Sequence, residues 1–122
     1  MITTPAPRAA HPPVQRTVEV VGRRPVGAYV ELRLAAPEIA GRTEPGQFVA
    51  FAVGGPTSAQ LLRRSIAIAG AGDGVVTVVV APHGPGSTWL AALREGDAVD
   101  VVGPLGRPYP LPPEGTTALL VG

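Results

Sequence analysis

The chain has 122 residues, 45% of them hydrophobic, and ten basic against nine acidic residues leave a formal charge of +1. That length suits one domain with a modest core, and the near balance of charge argues against broad nucleic-acid binding. The sequence has no cysteine, no lysine and only two histidines, His11 and His83; this excludes disulfides, thiol nucleophiles, iron–sulfur clusters ligated by this chain alone, and P-loop or Schiff-base chemistry, and it argues against a histidine-rich zinc site.

The opening MITTPAPRAAHPP lacks an apolar stretch of signal-peptide length, and no later stretch approaches a membrane span. A disordered leader over 1–13 and a cytoplasmic protein without membrane contact are therefore expected. VQRTVEVVG and AYVELRLAA alternate and are rich in β-branched residues, which predicts two antiparallel strands joined through the turn formers of RRPVG. PEIAGRTEPG reads as a loop, and QFVAFAV as a third strand with Phe48 and Phe51 toward the interior. GGPTSAQLL is irregular, RSIAIA makes a fourth strand, GAGDG a tight turn, and VVTVVVA a fifth strand whose valines suggest burial on both faces.

PHGPGS is a glycine-rich loop. In TWLAALREGD, Trp89 or Leu90 with Leu93 has helical spacing, Ser87 or Thr88 suits an N-cap, and Gly96 suits a stop. AVDVVG supplies a sixth strand, and a proline-rich loop follows it. The fold class expected is all-β, a six-stranded antiparallel Greek-key barrel with one short helix, spanning residues 14–116. Residues 117–122 resemble the first strand of a parallel α/β unit, the start of a missing nucleotide-binding domain, with a strand completing the barrel as the alternative.

Two stretches carry candidate chemistry. HGPGST, residues 83–88, has glycines that let backbone approach a ligand, ahead of a helix whose first N–H groups attract anions; an ordinary capped helix after a Gly-Pro turn looks the same. Arg63 and Arg64 open the fourth strand, where a period of two puts them on opposite faces, so at most one serves a given pocket. Beyond them Ser65, Ala67 and Ala69 leave room for a flat ring beside the backbone. Ser87 and His83 suggest a hydrolase only weakly, since there is no G-x-S-x-G elbow, and Trp89 reads as core packing.

The order PGQFVAF, LLRRSIAIA, then HGPGSTWLAALREGDAVDVVGPLGRPY resembles the FAD-binding domain of the ferredoxin reductase superfamily, most closely the electron-transfer subunit of dihydroorotate dehydrogenase, over about residues 14–122. The resemblance implies that Arg64 reaches the FAD diphosphate, that Ile66 packs on the flavin ring, and that Ala67 lies at its reactive edge beside Ser65. Gly84, Gly86, Ser87 and Thr88 would hold the diphosphate from the other side. It also implies NAD(P)H and a [2Fe–2S] cluster in parts missing here, and a catalytic subunit or electron-acceptor protein as partner. The chain alone is not expected to be a complete enzyme, and no catalytic residue or metal ligand is assigned to it.

The sequence departs from the pattern at three positions. Ala67 has no hydroxyl, and Val80 and Ala81 stand where relatives often have an aromatic residue and an arginine. These departures keep open a second reading, a cofactor-free barrel that serves as a structural or subunit-docking module.

Overall fold

The computed structural model describes residues 11–121. Most of the expected leader, residues 1–10, and the final residue of the expected C-terminal strand lie outside the described residues. The elements run β1 (Val14–Val26), β2 (Tyr29–Ala35), α1 (Pro37–Arg42), β3 (Phe48–Phe51), β4 (Arg64–Gly72), β5 (Val75–Val80), α2 (Pro85–Ala91) and β6 (Ala98–Leu105). The strands close into a barrel in the order β1-β2-β5-β4-β3-β6, with every neighbouring pair antiparallel. This is the Greek-key barrel the alternation predicts.

A single sheet closed on itself has one interior face, so each strand buries every second residue. In β5, Val76, Val78 and Val80 enter the core, whereas Val75 and Thr77 are half-buried and Val79 is exposed. The expected burial of this strand on both faces is therefore wrong. The outward valines suit a pleated backbone without contributing to the core. In β3, Val49 and Phe51 are in the core, while Phe48 is half-buried on the other face, its ring against Gly106. Of the two phenylalanines, only Phe51 points inward.

β1 does not stop before RRPVG, as the turn formers suggest, but runs on to Val26. Its first half pairs with β6 up to Glu19, and from Glu19 on it pairs with β2, with an irregularity between Val20 and Gly22. Beyond Val20 the strand has parted from β6, so Pro25, which lacks an N–H, sits where one edge is free. The hairpin turns at Gly27 and Ala28, and Gly27 has φ +59°. Between β4 and β5 the turn is Asp73-Gly74 alone, both at positive φ (53° and 75°), and β4 continues through Gly72.

The helices differ from expectation too. α1 occupies part of the stretch read as loop: Pro37 stands in its first turn with Glu38, and Ile39 is buried. Arg16 of β1 grips Glu38 through two hydrogen bonds, Nε to Oε1 at 2.8 Å and Nη2 to Oε2 at 2.6 Å. α2 begins at Pro85 with Gly84 as N-cap, earlier than a Ser87 or Thr88 cap would give, and its C-cap is Ala92. Gly96 instead lies in the turn before β6, where its N–H donates to Val20 O. Residues 117–121 join no strand and Leu119, Leu120 and Val121 are exposed, so the barrel closes without a C-terminal strand.

Phe51→Ala is expected to cost about 3–5 kcal/mol in a urea unfolding curve, the range for truncating a core phenylalanine, and Phe48→Ala much less. Equal losses would contradict the placement of the two rings.

Candidate functional site

The two adjacent arginines have separate environments. Arg63 donates from Nη2 to Asp100 Oδ1 of β6 and from Nη1 to Ala50 O of β3 at 3.2 Å, and Gln15 Nε2 of β1 donates to Asp100 Oδ2 at 2.9 Å. Asp100 lies between the buried Val99 and Val101, and Ala50 between Val49 and Phe51, so this network sits on the outside of the barrel. Partial burial pushes the Asp100 carboxyl up, but the hydrogen bonds from Gln15 and Arg63, with the charge of Arg63, outweigh it and hold the group below the usual carboxylate range.

Arg64 pairs in register with Phe51, whose ring is in the core, and its own side chain leaves the barrel mouth beneath α2. There it packs directly under Gly86: a Cβ on that glycine would come within 2.4 Å of Arg64 Nε and 2.9 Å of its Cγ and Cζ. The guanidinium uses Nη1 to donate to Leu62 O at 2.7 Å.

Ser87 organises the turn above Arg64. It is 5% exposed, and its Oγ accepts from the N–H groups of His83 and Gly84, each at 3.1 Å. The Thr88 N–H donates to Gly84 O at 2.9 Å. The N–H groups of Gly86 and Ser87 lie in the first turn of α2, where a helix leaves its N–H groups without i−4 partners. His83 Nδ1 lies 2.7 Å from Ala81 O and 3.5 Å from Ser87 Oγ. Ser87 is thus a turn-forming hydroxyl with its oxygen committed to two amides, which removes the hydrolase reading.

Arg64, Ser65, Ile66, Gly84, Gly86 and Ser87 line one cleft of about 240 Å³ with His83 and Pro85. Six of the eight residues picked out in the sequence are therefore brought together. Ile66 is half-buried, packed against the core on one side and open to the cleft on the other. Thr88 lines no part of this cleft, and its N–H is spent inside the helix. Ala67 lines a neighbouring cleft of about 410 Å³, with Ala69, Ala71, Gly46 and Tyr109 among its walls. Ser65, Ala67 and Ala69 are all exposed and share one face of β4, forming a shelf of small side chains that joins the two clefts.

No family model matches the chain. It is 38% identical to the electron transfer subunit of dihydroorotate dehydrogenase B (NAD(+)) from Bacillus caldolyticus, over 75% of this chain and 37% of that protein. The subunit of the same name from Bacillus velezensis is 35% identical, over 94% of this chain and 44% of that protein. Among solved structures, the NADH-dependent reduced ferredoxin-NADP oxidoreductase of flavin-based electron bifurcation superposes with a TM-score of 0.69 at 26% identity, covering 78% of this chain and 34% of that one. The chain is a ferredoxin reductase-type barrel, homologous to these electron transfer subunits. It spans less than half the length of the curated relatives it matches.

Within this ferredoxin reductase-type barrel the three departures fall in different places. Val80 is fully buried in the core, Ala81 is exposed just after β5, and Ala67 presents a methyl group on the shelf. Two residues of the larger cleft lie in stretches that carry the resemblance but were not singled out as site residues. Gln47 is 2% exposed, its Oε1 accepts from Glu44 N–H at 2.9 Å, and its Nε2 donates to Gly106 O at 2.9 Å. Tyr109 lays its ring on Gly46, where a Cβ would meet it at 2.8 Å, and its N–H donates to Pro45 O at 2.9 Å. Neither contact follows from local pattern, because each spans about sixty residues of chain; the dipeptide Pro45-Gly46 marks only the turn.

The lowered Asp100 pKa sets a sign for acid stability. A carboxyl depressed in the folded state stabilises it fully above the unfolded-state pKa, and that contribution disappears as pH falls through the folded-state value. Asp100→Asn is expected to lower stability by about 1 kcal/mol at pH 7, the scale of a partly exposed ion pair with added hydrogen bonds. The gap between variant and parent in urea unfolding midpoints should shrink at pH 3, and a gap of constant size would contradict the ion pair.

Proposed function

We propose that the chain is the FAD-binding barrel of an NAD(P)H-linked electron-transfer flavoprotein of the dihydroorotate dehydrogenase B electron transfer type. The observation that carries this reading is the seating of Arg64 under Gly86, beside the first-turn N–H groups of α2. A cation and convergent amide donors at one point are what a diphosphate requires. The fit extends to the ring: the small side chains of Ser65, Ala67 and Ala69 leave room along β4 on which a tricyclic ring can rest.

Arg64 in this reading neutralises diphosphate charge, while Gly86 and Ser87 donate from the backbone and Ser87 Oγ keeps the turn in shape. Ile66 supplies apolar contact in the cleft. With Ala67 lacking a hydroxyl, any hydrogen bond to the ring edge comes from main chain. The flavin supplies the redox chemistry when bound, and the protein supplies position and electrostatics. The nicotinamide site, any [2Fe–2S] cluster, and contact with a catalytic subunit or electron-acceptor protein belong to the whole protein; since these 122 residues contain no cysteine, such a cluster takes its thiolates from elsewhere. Among the described residues no helix is long and apolar enough to cross a membrane.

The test is an absorbance spectrum of the chain with added FAD, before and after ultrafiltration. Retained flavin is expected; a folded chain that passes all FAD into the filtrate would favour the cofactor-free docking module, the reading that Ala67 and the buried Val80 support. Arg64→Ala is expected to weaken FAD binding by about 1.5–3 kcal/mol, the scale of a hydrogen bond to a charged group. Gly86→Ala, which displaces the Arg64 side chain, should weaken it too, and unchanged titrations for both variants would refute the assignment.

A further inference from the structure

We infer that Asp100 is a positioning residue for Arg64: by holding Arg63 on the outside of the barrel, it anchors the chain entering β4 so that the second arginine, not the first, reaches the cleft beneath α2. The inference rests on the reading of Arg64 as the diphosphate's counter-charge.

Residues 63 and 64 carry the same side chain. Either arginine could chemically serve an anion, and a one-residue slip of β4 would exchange them, since successive side chains point to opposite faces. Ile66 and Ile68, packed against the core, set the phase further along β4, but no such residue precedes Arg64. The β3–β4 ladder has four registered pairs, Phe48↔Ala67 through Phe51↔Arg64, residues 54–63 form no helix or strand, and the ladder to β5 already shifts register between Ile68 and Gly70. The outward side chains that follow, Ser65, Ala67 and Ala69, are small and exposed, so they hold the first residues of the strand only weakly.

The Arg63 network supplies the missing discrimination. Its guanidinium reaches both Ala50 O of β3 and Asp100 of β6, and Asp100 in turn accepts from Gln15 of β1. Three strands besides β4 therefore converge on the first arginine and leave the second to the cleft. A slip that brought Arg63 to the cleft would forfeit the whole network, and one that brought Arg64 to Asp100 would take it out from under Gly86.

The test titrates FAD and, separately, riboflavin against the 122-residue chain and its Asp100→Asn, Arg63→Gln and Arg64→Ala variants by flavin fluorescence, with circular dichroism to check each fold. Positioning predicts that Asp100→Asn and Arg63→Gln each weaken FAD by about fivefold or more, a coupling typical of one polar network, and change riboflavin, which has no phosphate, by under about twofold. Asp100→Glu keeps the carboxylate and should retain most of the affinity. A field effect alone predicts opposite signs, because deleting the negative charge favours an anion and deleting the positive charge disfavours it. Opposite signs, or equal losses for both ligands, overturn the inference. Should Asp100→Asn fail to fold, Arg63→Gln and the riboflavin comparison decide it. Loss in Arg64→Ala alone overturns only this inference, whereas full FAD affinity in Arg64→Ala overturns the reading beneath it.

Discussion

Closure of the sheet is the constraint on which everything else in this molecule depends. A barrel of six strands has one interior face, and that face must be filled from every strand at a period of two. The rule decides which valines of β5 are core, sends Phe51 inward and Phe48 outward, and assigns two neighbouring arginines to opposite sides of the wall. No side chain at the site chooses its direction independently of the closed ladder.

The site itself is assembled where an element outside the sheet meets the rim. α2 crosses between β5 and β6, and Arg23 of the extended β1 donates from Nε and Nη2 to Ala91 O at the helix C-terminus, at 3.2 and 2.9 Å. A cation at that end also suits the helix dipole. Leu90 and Ala91 are buried below it. The helix is therefore fixed at one end by a charge and along one side by the core, and its N-terminal turn comes to rest on Arg64. The part of β1 that reads as a turn is what anchors the opposite end of the helix.

The legible part of the sequence was whatever expresses itself locally. Alternation or a short apolar, β-branched run marked all six strands, and the doubled arginine and the glycine-rich turn stood out because each breaks the texture of an apolar stretch. What stayed hidden had competing local signals or distant causes. Arg23-Arg24-Pro25 carries turn residues, but an edge freed from β6 tolerates them in a strand. In PEIAGR the proline and glutamate of a helix start were present, yet six residues are too few to show periodicity. The early start of α2 follows from Pro85 at the first helical position, with the Ser87 hydroxyl folding back onto two amides, so a good N-cap residue serves from inside the helix instead. Gln47 and Tyr109 find their partners across the barrel, and no reading of neighbours along the chain reaches that far.

The shelf on β4 has a consequence for what it can recognise. Methyl groups offer neither donors nor acceptors, and the amides on either side of them are engaged with β3 and β5 for most of the strand. The ladder skips one residue, Ala69, between the pairs Ile68↔Val78 and Gly70↔Thr77. A bulge of this kind releases main-chain groups from pairing. Such a surface gauges the thickness and outline of whatever lies on it, while its polar vocabulary is confined to the Ser65 hydroxyl at one end and the peptide groups around a single alanine at the other.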